Sequence, residues 1–142
     1  MAEKDSIVLT FDMDSDDFTR AGEASSRLKR TLKQMGLPPD IIRRISIVMY
    51  EGEINMVIHA HGGKITVTVD DDAVTMVLAD VGPGIPDVEK AMQAGWSTAS
   101  EAVRQQGFGA GMGLPNMKKN ADTLEIDTVV GVGTTVTAVV RL

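Results

Sequence analysis

Two pairs of alternating segments, each joined by a very short turn, limit the kind of sheet this chain can build. "KITVTVD" and "AVTMVLADV" are joined at the acidic turn "DDD", and "TLEIDTVV" and "TTVTAVVRL" meet at "GVG". Turns this short join antiparallel neighbours, whereas a parallel pair needs a crossover of about a dozen residues or more. A further period-2 segment near the start, "SIVLTFDMD", sets Ile7, Leu9, Phe11 and Met13 on one side. The expected sheet is therefore mixed, and mostly antiparallel.

Helical spacing fills the intervals. Ser15 or Asp16 can cap a first helix in which Phe18, Ala21, Leu28, Leu32 and Met35 recur on one face. "GLPPD" ends it, since Gly36 supplies a left-handed break and the prolines cannot continue the helix. A second helix runs from about Asp40 to about Ala60 and breaks at "HGGK". A third starts near Gly113 with Leu114, Met117 and Ala121, and a short one after Pro86 would turn Val88 and Met92 inward. The order β-α-α-β-β-(α)-α-β-β places the chain in the α+β class, as a two-layer α/β sandwich with one sheet face covered by helices. A length of 142 residues suits a single domain, 1–142.

Composition removes several functions. There is no cysteine, hence no disulfide framework and no thiolate metal site. The net charge of −6 and the lack of a dense Lys/Arg cluster argue against nucleic acid as a partner. No apolar run approaches the ~20 residues needed to span a bilayer, and the start lacks the apolar core of a signal peptide. The expected location is cytoplasmic, away from membranes.

The second helix, "ISIVMYEGEINMVIHAHGG", is apolar nearly all round, yet Glu51, Asn55 and His59 recur every fourth residue and share one face. Glu53 points to nearly the opposite side. Burying an unpaired carboxylate costs several kcal/mol, so such a row belongs beside a wet pocket holding a ligand or cation, or else on a thin stripe facing solvent. Gly52, inside the helix, costs about 1 kcal/mol against alanine and implies a packing or access reason. His59 alone reads as a structural histidine.

Two glycine groups complete the pattern. "ADVGPGIPD" follows a strand, with Asp80 at its end and Gly82 and Gly84 two apart. "GFGAGMGLPNMKK" carries glycine at every second position from Gly107 to Gly113 and then turns helical. It fits neither the dinucleotide fingerprint, whose third glycine has another offset, nor a Walker A loop, which needs Gly-Lys-Ser/Thr. A glycine-rich loop feeding a helix N-terminus remains, and backbone N–H groups with the macrodipole make that an anion site.

Taken in order, Glu51-x-x-x-Asn55, Asp80-x-Gly82-x-Gly84, Gly109-x-Gly111-x-Gly113-Leu114 and Gly131-x-Gly133-Thr134 resemble the motif boxes of the GHKL ATPase superfamily. That superfamily has the Bergerat ATP-binding fold and includes gyrase, histidine kinases and a heat-shock chaperone. Within it, "DVGPGIPDVEKAMQAGWSTAS" and "GAGMGLPNMKKNADTLEIDTVVGVGTTV" are similar to the small bacterial anti-sigma-factor and switch serine/threonine kinases. The resemblance implies ATP and Mg2+ as cofactors. It implies Asp80 as acceptor for the adenine amino group, with Gly82, Gly84 and Ile85 beside the base. Asn55 would ligate Mg2+, and Glu51 would be the catalytic base. Gly107, Gly109, Gly111, Met112, Gly113 and Leu114 would close over the phosphates, and Thr134 would add a polar contact.

The implied activity is phosphorylation of a regulatory protein, a STAS-type antagonist or a sigma-like factor, by a chain that can form a homodimer. Two alternatives stand beside it: a nucleotide-gated partner-switching module without kinase activity, and a stand-alone histidine-kinase-like ATPase domain. The polar segment at residues 95–111, with Trp96, is expected to act as a lid that nucleotide orders.

Overall fold

The computed structural model describes residues 6–13, 22–59, 62–82, 84–85, 92 and 113–142. Within them lie strands β1 (Ile7–Met13), β2 (Gly63–Val69), β3 (Ala73–Asp80), β4 (Thr123–Val129) and β5 (Gly133–Arg141). Helices α1 (Glu23–Gln34), α2 (Pro39–His59) and α3 (Gly113–Asn120) accompany them. The strands form one open sheet in the order β1-β2-β3-β5-β4. All four pairings are antiparallel, so the parallel component of the expected mixed sheet is not found among the described residues. The helix expected after Pro86, apart from Met92, lies outside the described residues.

Both short turns are held as their sequences require. At the β2–β3 turn, Asp70 Oδ1 accepts from the N–H groups of Asp72 (2.8 Å) and Ala73 (2.9 Å), the Asx arrangement that makes aspartate a turn residue. The β4–β5 turn closes through Val132 N–H donating to Val129 O (2.9 Å), with Gly131 at φ 83°. Strict alternation then sends Ile65, Val67 and Val69 of β2, Val74, Met76 and Leu78 of β3, and Val136, Ala138 and Val140 of β5 to one face. Leu28 and Leu32 of α1, Ile45, Val48 and Met49 of α2, and Met117 of α3 complete the core with no exposed surface. Each such side chain contributes about 1.5–3 kcal/mol by leaving water. The opposite face, rich in half-exposed threonines such as Thr66, Thr75 and Thr137, carries no helix among the described residues.

Two terminal positions depart from the periodic reading. Ile7 is exposed at the end of an edge strand, and Met35, expected to be inward, is the exposed C-cap of α1. Gly36 (φ 79°) and Leu37 return their N–H groups to Lys33 O and Leu32 O, a Schellman closure, and Leu37 packs on the core instead. At its start α1 has Gly22 as N-cap and no side-chain cap of its own. The caps expected at Ser15 and Asp16 lie outside the described residues.

The glycine inside α2 has a packing reason. An added Cβ at Gly52 would collide with Leu78 Cδ2 of β3 and lie 3.3 Å from Met117 Cε of α3, so α2 can approach both elements only without a side chain there. Gly52→Ala gains helix propensity but must displace two buried side chains. We expect it to destabilise by about 1–3 kcal/mol, read as a lower midpoint in chemical denaturation with an unchanged slope.

Candidate active site

Four-residue spacing on α2 does what it should: Glu51 and Asn55, both half-buried, face α3. Asn55 lies against the first residue of α3, because an ideal Cβ on Gly113 would be 2.9 Å from both its Oδ1 and its Nδ2. One turn back, Glu51 Oε1 accepts from Asn116 Nδ2 at 3.3 Å. Asn116 was not singled out from the sequence. It sits three residues into the helix from Gly113, on the side that meets α2, and that spacing was the available signal. Asn120 Nδ2 in turn donates to Asn116 O (2.9 Å). The His59 side chain lies outside the described set.

The buried carboxylate of this helix is Glu53, with 1% of its surface exposed, whereas Glu51 keeps contact with solvent. The desolvation argument made from the sequence for Glu51 therefore applies to Glu53. Its two oxygens accept from the N–H groups of Ala24 (3.0 Å) and Ser25 (3.1 Å), the orphan donors in the first turn of α1. Glu53 thus caps a helix 28 and 29 positions away in sequence. Nothing in the local pattern announces a cap supplied from that far, and only its place opposite Glu51 was legible.

A second group forms where β3 ends. Asp80 Oδ1 accepts from Thr134 N–H of β5 (2.9 Å), and among the described residues Oδ2 has no hydrogen-bond partner. The Asp80 backbone is crowded from both neighbouring strands: a Cβ on Gly133 would strike its carbonyl oxygen, and one on Gly63 would lie 2.8 Å from its Cα. Burial pushes the Asp80 carboxyl up, and the Thr134 N–H works against it. Buried Thr134 exchanges a 2.9 Å hydroxyl contact with Thr128, its partner across the β4–β5 turn, and Thr128 Oγ1 accepts from Ile85 N–H at 2.8 Å. Thr128 was missed in the sequence, although the symmetric "TVVGVGT" around the turn pairs it with Thr134.

The glycines after Asp80 are laid over that same turn. Gly82 N–H donates to Val132 O (3.1 Å). Gly84, at φ 76°, presses so close to the β4–β5 turn that a Cβ would be 2.7 Å from Val129 O and 2.9 Å from Val130 Cα. Leu114 belongs to the hydrophobic core, so it anchors the start of α3 from beneath. The two groups meet through Met56 of α2, whose Cε lies 2.5 Å from that ideal Cβ on Gly63, beside Asp80 Cα. Gly107, Gly109, Gly111, Met112, Trp96 and the lid expected over residues 95–111 lie outside the described residues.

An antiparallel sheet with an aspartate at a strand end, a helix bearing Glu-x-x-x-Asn, and a third helix starting against that Asn make up the candidate site. Residues 15–140 match the histidine kinase-like ATPase domain, and the chain belongs to that family. It is 31% identical over 121 residues to the serine/threonine-protein kinase RsbT of Bacillus subtilis, a match covering 82% of this chain and 85% of that protein. It is 37% identical over 100 residues to an anti-sigma F factor of Caldanaerobacter subterraneus subsp. tengcongensis, covering 67% of this chain and 66% of that protein. A third relative, the anti-sigma F factor of Bacillus licheniformis, is 32% identical over 111 residues, covering 74% of this chain and 73% of that protein. No helix among the described residues is long and apolar enough to cross a membrane.

Proposed function

We propose that this chain is an ATP-dependent serine/threonine protein kinase whose substrate is a small regulatory protein, of the STAS-type antagonist or sigma-like class. The observation that carries the reading is the pairing of Glu51 and Asn55 on one face of α2, turned toward the start of α3. ATP suits the residues present: among the described residues only one Asp80 carboxylate oxygen is engaged, which leaves the other for an amino group, and the side-chain-free Gly113 lets Asn55 come up against the start of α3. Bound with Mg2+, ATP supplies the γ-phosphoryl group that passes to a substrate hydroxyl as ADP leaves. Asn55 would hold the ion through its side-chain oxygen, a hard ligand for a hard cation. Glu51 would take the hydroxyl proton, while Asn116 fixes the direction of its carboxylate. Gly82, Gly84 and Ile85 would flank the base, and Thr134 would orient Asp80 through its N–H. Gly107, Gly109, Gly111, Met112 and Leu114 complete the proposed phosphate side.

Two further parts of the reading are proposals too: that residues 1–142 act as one domain, and that the protein works in the cytoplasm. The relatives named anti-sigma F factor favour a second reading, a partner-binding switch gated by nucleotide. Incubation with radiolabelled Mg-ATP and candidate antagonist domains, followed by detection of phosphoserine or phosphothreonine, tests the first reading. Partner capture that depends on nucleotide without any transfer of label supports the second.

Asp80 gives a prediction in which stability and binding move in opposite directions. Its folded-state pKa is raised, so its favourable contribution is complete below the unfolded value of about 3.9 and is lost as pH rises through the folded value. At neutral pH the half-buried charge burdens the fold. Asp80→Asn keeps an oxygen for Thr134 N–H but presents an N–H2 donor to the adenine amino group. We expect a higher Tm at pH 7, a gain that shrinks toward pH 4, and ATP affinity lower by about 10- to 150-fold in calorimetry. A lower Tm at neutral pH, or unchanged ATP affinity, would contradict this account.

A further inference from the structure

We propose that the groove along the seam of α1 and α2 is a docking channel for an extended, acidic segment of the protein substrate, which leads the substrate's hydroxyl residue to Glu51. This rests on the kinase reading for the role of Glu51, but the binding it claims does not need catalysis. The groove encloses about 740 Å³ and has Glu51 in its wall, so the carboxylate that meets Asn116 on one side is reached from the groove on the other. Its lining includes Lys29 and Lys33, one turn apart on α1, and Arg43 from α2. All three are exposed, and none is in an ion pair among the described residues. The neighbouring Arg44 is committed elsewhere, to Asp122 and Asn120 O. In a chain of net charge −6, these cations reverse the local sign over one channel, and Glu51 is the single carboxylate in its described lining. Apolar Leu37, Ile42 and Ile47 supply a surface for the segment's other side chains.

From Pro39 to Glu51 at about 1.5 Å per residue the groove runs about 18 Å, the span of an extended segment of about 5–6 residues. The helices run antiparallel: Gly22, at the start of α1, lies against Tyr50, and Glu53 caps the same turn. Lys29 and Lys33 therefore stand about 6 and 12 Å from the Glu51 end, and Arg43 about 12 Å. At about 3.3 Å per residue, carboxylates two to four positions from the acceptor hydroxyl meet them. Such a segment gains long-range attraction and register from the cations, and contact area from the apolar wall.

The test uses the intact protein and fluorescein-labelled peptides of the pattern Ala-Ser-Ala-Glu-Asp-Glu-Ala, in both chain directions. Controls are versions with lysine in place of each acid and a single-stranded oligothymidylate. Without nucleotide, fluorescence anisotropy at low ionic strength is expected to show one acidic peptide bound about tenfold tighter than its lysine counterpart. The preference should vanish in Lys29→Glu/Lys33→Glu/Arg43→Glu and also in the milder Lys29→Gln/Lys33→Gln/Arg43→Gln, with ATP affinity unchanged. Equal binding of acidic and lysine peptides, a preference that survives both triple variants, or oligothymidylate binding as tight as the peptide overturns the channel. Adding labelled Mg-ATP separates the two claims. Charge-selective binding with no phosphate transfer to the peptide or to the antagonist domains keeps the channel and removes the kinase; transfer without charge selectivity does the reverse.

Discussion

Glu51→Gln is expected to lower phosphoryl transfer by about 10²–10⁴ while leaving Mg-ATP affinity nearly unchanged. Glutamine keeps the shape and still offers Asn116 an oxygen, so the α2–α3 contact persists. What it removes is the ability to accept a proton from the attacking hydroxyl. Asn55→Ala should fail differently. It deletes the proposed ion ligand at the start of α3, and the loss should appear first in Mg-ATP binding, with ADP in the absence of metal less affected. Calorimetry and single-turnover transfer, measured side by side, distinguish these outcomes. A Glu51→Gln protein that transfers phosphate at the wild-type rate makes Glu51 a structural residue and leaves the partner-switching reading in possession of the site.

Glu53→Ala is expected to cost the fold about 3–5 kcal/mol, enough to threaten a domain whose whole stability is about 5–15 kcal/mol. Two N–H groups at the head of α1 lose their acceptor inside the protein, and a cavity replaces the carboxylate. Glu53→Gln should lie between, since its amide oxygen serves one donor while its N–H2 group confronts the other. Urea denaturation followed by circular dichroism measures both. If Glu53→Ala unfolds at the wild-type midpoint, α1 is held by its apolar face alone and the cap contributes nothing.

The sheet was legible because its information is local. Alternation in "KITVTVD" and "TTVTAVVRL" sets the buried face, and turns at Asp70–Asp72 and Gly131 leave antiparallel pairing as the only geometry. The candidate site was legible as a set of residue types at fixed spacing, and Glu51 and Asn55 fall on a helix and Asp80 at a strand end, where the sequence pattern put them. The partners were not legible. Asn116 meets Glu51 across 65 positions, and Glu53 reaches Ala24 across 29, so both depend on how helices pack. Gly52 shows the same limit: its periodicity-breaking presence was visible, but the reason is Leu78, a residue of another layer. The strand-order jump that puts β5 between β3 and β4, and so brings Thr134 to Asp80, likewise has no local mark.

Arg44 gives α3 the mechanics of a lever. Its guanidinium holds Asn120 O at 3.0 Å and Asp122 at 3.2 Å, so the C-terminal end of the helix is clamped to α2 by a cation placed where the helix dipole favours one. The other end, Gly113, has no side chain and touches Asn55. Over eight residues, about 12 Å, a pull of about 1 Å at the free end tilts the helix by about 5° about that fulcrum. Met117 lies midway along the arm, against the plane where Gly52 and Leu78 meet, so a force applied at the Gly113 end is felt in the centre of the core.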